Sequence, residues 1–238
     1  MTMNTNRITR FLTLLLAVTA APLFGQIISP PQTDAPLKRW YVSGRLGLEQ
    51  RGTAAENSQT FTTWHDGTDY NFQFGYRILP EFRAEIEYSS FYNTANTLAS
   101  AGGIPEAPAQ GHAQLVAWMF NLFYDYHITD TRFTIYAGAG AGPFKSKLRD
   151  LSNAQTRAVP PAFGGPFIFS GDSTGWQAAY QGQIGVSYAV SPSIDVLFGY
   201  RYFQGNPLHF VFTNLGGFTA GPKKSAVNAL ETGMRFNF

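Results

Sequence analysis

The sequence predicts an all-β fold: an eight-stranded antiparallel up-and-down β-barrel that crosses a membrane on its strands. Composition points there first. The 238 residues are 44% hydrophobic and 16% aromatic but only 13% charged, with 24 Gly. A soluble domain carries about a quarter charged residues. Gly is poor inside helices, and aromatic residues favour strands. Strict alternation of apolar and polar residues from Trp40 onward is the second observation, the mark of strands with chemically different faces. The third is the spacing of the connections, short and long in turn, as antiparallel strands crossing a bilayer require.

The eight segments can be read in order. Trp40, Val42, Leu46 and Leu48 alternate with Tyr41, Ser43, Arg45 and Glu49. Tyr70, Phe72, Phe74, Tyr76 and Ile78 alternate with Asp69, Asn71, Gln73, Gly75 and Arg77. Phe82, Ala84, Ile86 and Tyr88 oppose Arg83, Glu85, Glu87 and Ser89. Val116, Trp118, Phe120, Leu122 and Tyr124 oppose Ala117, Met119, Asn121 and Asp125. The fifth sets Phe133, Ile135, Ala137 and Ala139 against Thr134, Tyr136, Gly138 and Gly140. The sixth sets Trp176, Ala178, Tyr180, Ile184 and Val186 against Gln177, Gln181, Gln183 and Ser187. Val196, Phe198, Tyr200 and Tyr202 then oppose Asp195, Gly199 and Arg201, and Leu230, Met234, Phe236 and Phe238 oppose Glu231, Gly233, Arg235 and Asn237. Turns at Leu79–Glu81, His127–Thr131 and Val190–Pro192 are short. The links Arg51–Thr68, Asn93–Gly111, Pro143–Gly175 and Gln204–Ser225 are long. The expectation is short periplasmic turns and long extracellular loops.

Upstream of the barrel, Arg7 and Arg10 precede the apolar run Phe11–Phe24. The run is shorter than a spanning helix needs and fits a secretory signal peptide. Residues 1–25 are therefore expected to be a signal peptide, cleaved after Ala20 or Gly25, and residues 26–37, with three prolines, a linker. The barrel then occupies residues 38–238. With no Cys there is no disulfide framework or thiolate site. A formal net charge of +2 gives no footprint for nucleic acid.

Alternation alone does not say which face is outside, since a soluble barrel alternates too. Of the five Lys, at 38, 145, 147, 223 and 224, none lies inside a predicted strand. The apolar face is aromatic, as lipid-interface girdles require, and short polar groups suit a narrow lumen. The interior is thus expected to hold Arg45, Arg77, Arg83, Arg201 and Arg235 against Glu49, Glu85, Glu87, Asp125, Asp195 and Glu231. A buried ion without a partner costs several kcal/mol. Expected pairs are Arg201 or Arg45 with Glu231, and Asp195 with Arg235.

The phrases Asn71–Ser90, Phe120–Gly142, Tyr180–Val190, Ile194–Phe203 and the terminal MRFNF resemble the small outer-membrane β-barrel superfamily, which includes opacity-type surface proteins and the barrel domain of OmpA-type proteins. The resemblance covers about residues 38 to 238 and specifies architecture. It implies an integral protein of the cell outer membrane with a structural, adhesive or weak channel role. The alternating end Met234, Phe236, Phe238 resembles the signal strand read by the barrel assembly machinery. No peptidoglycan-binding domain is expected after the barrel, so the wall-anchoring role of full OmpA-type proteins is not expected to transfer.

Candidate chemistry is sparse. His65, His112 and His209, with Ser170, Asp172 and Ser173, fall in or beside the long loops. Some barrels of this size modify lipid A with Ser and His at this rim, but linear sequence does not place a nucleophile beside a base. No short ligand spacing indicates a metal. Gly138, Gly140 and Gly142 lack the following helix of a nucleotide loop and read as close packing. Neither catalytic residues nor a cofactor are expected. Lys145, Lys147, Arg149 and Arg157 form a mildly basic patch suited to lipopolysaccharide phosphates. Phe210, Phe212 and Phe218 are apolar in the last loop, and the long loops are the expected seat of any extracellular ligand. The leading expectation is a structural and surface-interaction barrel closed by its charge network. A narrow porin-like channel and a lipid A-modifying enzyme are the alternatives.

Overall fold

A computed structural model describes residues 38–52, 54–56, 60–100, 104–160, 165–212, 218–220 and 225–238. The expected signal peptide and linker, and Lys223 and Lys224, lie outside the described residues.

Eight long strands close the barrel. They are β1 (Trp40–Arg51), β4 (Gly67–Arg77), β5 (Phe82–Ser100), β6 (Ile104–His127), β7 (Phe133–Asn153), β9 (Gln177–Ser191), β10 (Ile194–Gly205) and β13 (Ser225–Asn237). Each pairs antiparallel with its sequence neighbours in the barrel, and β1 pairs with β13 to complete the cylinder. Closure leaves no edge to be stranded in hydrocarbon. The seam runs to the last residue, where Trp40 N donates to Phe238 O at 3.2 Å and Phe238 N to Trp40 O at 2.9 Å. Short elements decorate the other end: β2 (Ala54–Glu56) and β3 (Thr60–Trp64), helix α1 (Ala154–Arg157), β8 (Phe169–Asp172), and the hairpin of β11 (Phe210–Phe212) with β12 (Phe218–Ala220).

The faces are as the alternation predicts. Leu46 is 67% exposed and Phe72 62%, whereas Arg45 and Asn71 beside them are buried. Outward rings pair across strands, Trp40 with Phe74, Phe82 with Tyr124, and Tyr88 with Trp118, each at 5.2 Å between centroids.

Strand length departs from the sequence reading. The connection expected over Asn93–Gly111 is mostly strand, because β5 runs for 19 residues and β6 for 24. Likewise β7 continues for 21 residues through Pro143 to Asn153, so Lys145 and Lys147 stand within a strand after all. About 9–11 residues span the hydrocarbon, so these strands continue well beyond it. The reason is an inversion of polarity. Above the apolar belt Phe91, Leu98, Leu115, Phe144 and Leu148 turn inward and are buried, while Thr94, His112, Gln114, Lys145 and Lys147 face out. The period of two persists up to register shifts past Thr94 on β5 and before His112 on β6, which bring Leu98 inward, and its chemistry changes sign where lipid gives way to water.

Glycines make room for inward rings. Tyr41 lies across Gly75, its register partner on β4, where an added Cβ would stand 2.0 Å from Tyr41 Cζ. Gly138 serves Phe123 in the same way, at 2.2 Å from Cδ1. Gly75→Val is expected to destabilise the barrel by about 1–3 kcal/mol through overpacking, read as a lower urea midpoint in lipid vesicles.

Candidate functional site: the barrel interior and its rim

The lumen is built in storeys, each supplied by inward positions of several strands. At the periplasmic mouth Asp195 on β10 lies 3.5 Å from Arg235 on β13 and 3.9 Å from Arg77 on β4. Asn237 donates to Asp195 Oδ2 at 3.0 Å, and Arg77 also donates to the Lys38 carbonyl at 3.3 Å.

Arg83 fills the next storey. Its Nε donates to both Asp125 oxygens at 2.9 Å, and its Nη1 reaches Glu85 and the Tyr41 hydroxyl. Tyr41 in turn donates to Glu85 Oε1 at 2.8 Å. The guanidinium carbon stands 4.0 Å from the Phe123 ring centroid and 5.3 Å from that of Tyr136. Stacking of this kind suits the planar, weakly hydrated guanidinium better than an ammonium.

Arg201 and Glu231 form the central storey. Arg201 Nε is 2.7 Å from Glu231 Oε1 and its Nη1 2.5 Å from Glu87 Oε1. Arg45 reaches the same Glu231 at 3.5 Å and donates to Gln183 Oε1 at 2.7 Å. Asn71 Nδ2 donates to Glu231 at 3.0 Å, while Asn121 and Gln183 donate to Glu87 Oε2 at 3.0 and 3.2 Å. Both carboxylates are 0–1% exposed. Burial of such ions is tolerable only with this density of charge-assisted partners.

Of the sequence-selected interior charges, Glu49 alone is not drawn into an ion pair among the described residues. It is buried above Glu231 opposite Gly67, near the Tyr92 backbone, and Arg51 on the same inner face offsets its charge. Sequence reasoning placed Asp69, Asn71, Asn121, Gln181 and Gln183 on the polar face without counting them in the network, and it put Arg51 in a link; all six are buried. Their signal was present, since each occupies an inward alternate position. It carried little weight because an amide or one more carboxylate there is equally consistent with simple solvation.

Above the ions the lumen becomes apolar. Phe91, Leu98, Leu115, Met119, Phe144 and Phe203 belong to one buried cluster, with Phe91 and Phe203 rings 5.2 Å apart and Phe144 to Phe203 5.7 Å. Among the last-loop aromatics, Phe210 joins this cluster. The side chains of Phe212 and Phe218 lie outside the described residues.

The rim groups are dispersed. His112 stacks on Tyr92 at 5.2 Å. Ser170 Oγ accepts from Asp150 N at 2.8 Å, and Ser173 Oγ accepts from Ser146 N at 3.1 Å. His209 and His65 enter hydrogen bonds through their backbone atoms. Neither serine hydroxyl bonds a histidine ring among the described residues, and no group of three His, Asp or Glu there is arranged to hold a metal. The basic residues divide. Lys145, Lys147 and Arg149 form one outward row on β7, whereas Arg157 sits on α1 and donates to Ser152 at 2.8 Å. At the C-terminus Met234, Phe236 and Phe238 face outward at 44%, 45% and 60% exposure, between Arg235 and Asn237, which are buried.

A family model described as outer membrane protein beta-barrel domain matches residues 12–227. Among solved structures, Neisserial surface protein A is 18% identical and superposes with a TM-score of 0.56, covering 84% of this chain and 97% of its own. The outer membrane protein OprG from Pseudomonas aeruginosa is 15% identical at a TM-score of 0.52, covering 84% and 96%. At these identities the likeness is one of fold. No curated protein matches the sequence. Lipid-facing rings, a closed antiparallel cylinder of eight strands and the matching family model together make this chain a member of the outer membrane protein beta-barrel domain family, resident in the outer membrane.

Proposed function

We propose that this protein is a non-conducting structural and surface-interaction barrel, its lumen closed twice over and its contacts made by the strands that rise beyond the membrane. The observation that carries the reading is the stacking of two unlike seals. Arg83, Arg201 and Arg235 are each at most 2% exposed within the ionic storeys, and Phe91, Phe144 and Phe203 are fully buried directly above. An ion crossing this path would have to break charge-assisted hydrogen bonds and then enter an apolar layer without hydration, a step costing several kcal/mol or more. Side chains can fill the interior of an eight-stranded barrel, and here both classes of filler are used.

The extracellular extension offers the surface. β3 pairs with the upper part of β5, and β8 with the upper part of β7, widening the wall that β5, β6 and β7 raise above the bilayer. Purified protein in planar bilayers is expected to give no resolved single-channel steps. Stepwise conductance from folded, heat-modifiable protein would overturn this reading in favour of the narrow channel.

A further inference from the structure

Lys145 and Lys147 stand where a strand leaves the hydrocarbon. Along β7 the outward positions read Phe133, Ile135, Ala137, Ala139, Ala141, Pro143 and then Lys145, Lys147 and Arg149. Lys145 therefore takes the first outward position past the apolar belt, beside Val116 on β6. Arg149 is neutralised by Asp172 at 2.6 Å. Lys147 stands opposite that same Asp172 in the β7–β8 register but has no ion pair among the described residues, and Lys145 Nζ lies 4.8 Å from the ring centroid of Trp176, which is 47% exposed. Alternate residues on one strand face are about 7 Å apart, a span two oxygens of a phosphate group or two neighbouring phosphates can bridge. Ammonium groups at this height meet lipid headgroups rather than bulk water, and the groups that balance them there are anionic.

Directly below, the lipid-facing wall changes relief. Ala137, Ala139 and Ala141 on β7 are exposed, and Gly182, the β9 partner of Ala139, has open space where a side chain would be. The neighbouring outward positions on β6 are Trp118, Phe120 and Leu122, from 48% to 55% exposed. The small residues thus line a shallow furrow beside a wall of large side chains, and the furrow ends at the two lysines. Charge complementarity names its occupant, since a molecule seated here needs a negative head at the boundary and a hydrocarbon chain beneath it.

We infer that the outer wall of β6, β7 and β9 is a seat for one phosphorylated, multiply acylated glycolipid of the outer leaflet. Its phosphate sits against Lys145 and Lys147 beside Trp176, and one acyl chain lies along Ala137, Ala139 and Ala141. The assignment is independent of whether the lumen conducts. It narrows the basic patch of the sequence from four residues to two, because Arg149 is already paired and Arg157 lies beyond a bulge at Asp150, where φ is 55°.

The test is native mass spectrometry of the full, detergent-solubilised barrel titrated with bisphosphorylated hexa-acyl lipid A and, separately, with the same lipid dephosphorylated. Each cation beside an anionic surface contributes about a fivefold gain in binding, so Lys145→Ala with Lys147→Ala is expected to weaken the phosphorylated lipid about 25-fold. The variant should leave the dephosphorylated lipid unchanged. Wild-type protein should prefer the phosphorylated form by a similar factor. Ala139→Phe, which fills the furrow, should weaken both lipids. Equal binding of the two lipids by wild-type protein overturns the headgroup seat without recourse to any variant. Unaltered affinity in the double-lysine variant, or in Ala139→Phe, also overturns the proposal. Heat-dependent electrophoretic migration confirms that each variant tested is a folded barrel.

Discussion

Glu231→Ala is expected to lower the stability of the folded barrel by about 3–5 kcal/mol, the cost of leaving a buried cation without its partner. Glu231 is the carboxylate to which both Arg201 and Arg45 turn, at 2.7 and 3.5 Å, and Asn71 completes it at 3.0 Å. Its removal takes a carboxylate away from two guanidiniums that are at most 3% exposed. Arg201 keeps Glu87, whereas Arg45 keeps the neutral Gln183 and the face of the Tyr136 ring but no carboxylate among the described residues. Urea titration in lipid vesicles reads the loss, and the temperature at which electrophoretic migration shifts should fall with it. Conductance should stay absent, because the apolar storey of Phe91, Phe144 and Phe203 does not depend on Glu231. A variant that melts like the parent yet conducts would make the network a gate instead of a brace. Glu231→Gln, which preserves shape and one acceptor, should fall between parent and Ala.

Leu46→Arg should cost about 2–4 kcal/mol, and the same change at Trp40 about 0–1, because the penalty for a lipid-facing cation depends on depth. Leu46 is in the middle of β1 and 67% exposed, while Trp40 begins the strand at the periplasmic girdle, stacked with Phe74. A soluble barrel of the same alternation would accept an arginine at either position with little change. Urea midpoints of the two variants in vesicles therefore test orientation, and equal, near-zero effects would place Leu46 in water. The contrast is sharpened by Arg45, its immediate neighbour, which is 3% exposed and reaches Glu231 inside the lumen.

The strands that cross the membrane, and the direction each side chain takes there, were legible from the residue order alone. Phe72 and Asn71, or Ile86 and Glu87, could be assigned to lipid and lumen without coordinates, because acyl chains demand apolar contact at every second position and the lumen rejects it. The acids and bases of the interior were legible for the same reason, since a charge at an inward position of a charge-poor chain has nowhere else to go. Which partners meet was less accessible: Arg83 with Asp125, or Arg201 with Glu87, depends on the register of different strands. The upper half was misread as loop. Above the bilayer water surrounds the wall, so β5, β6 and β7 reverse their polarity, and bulges shift their period near the top, so the run of outward apolar residues ends early. Only the closed cylinder decided that Phe91, Phe144 and Phe203, from three separate strands, converge in one buried cluster, and that Lys145 and Lys147 stand within β7 on its outward face. Alternation is a local property written along each strand, whereas convergence across a lumen exists only once all eight strands have closed in a fixed register.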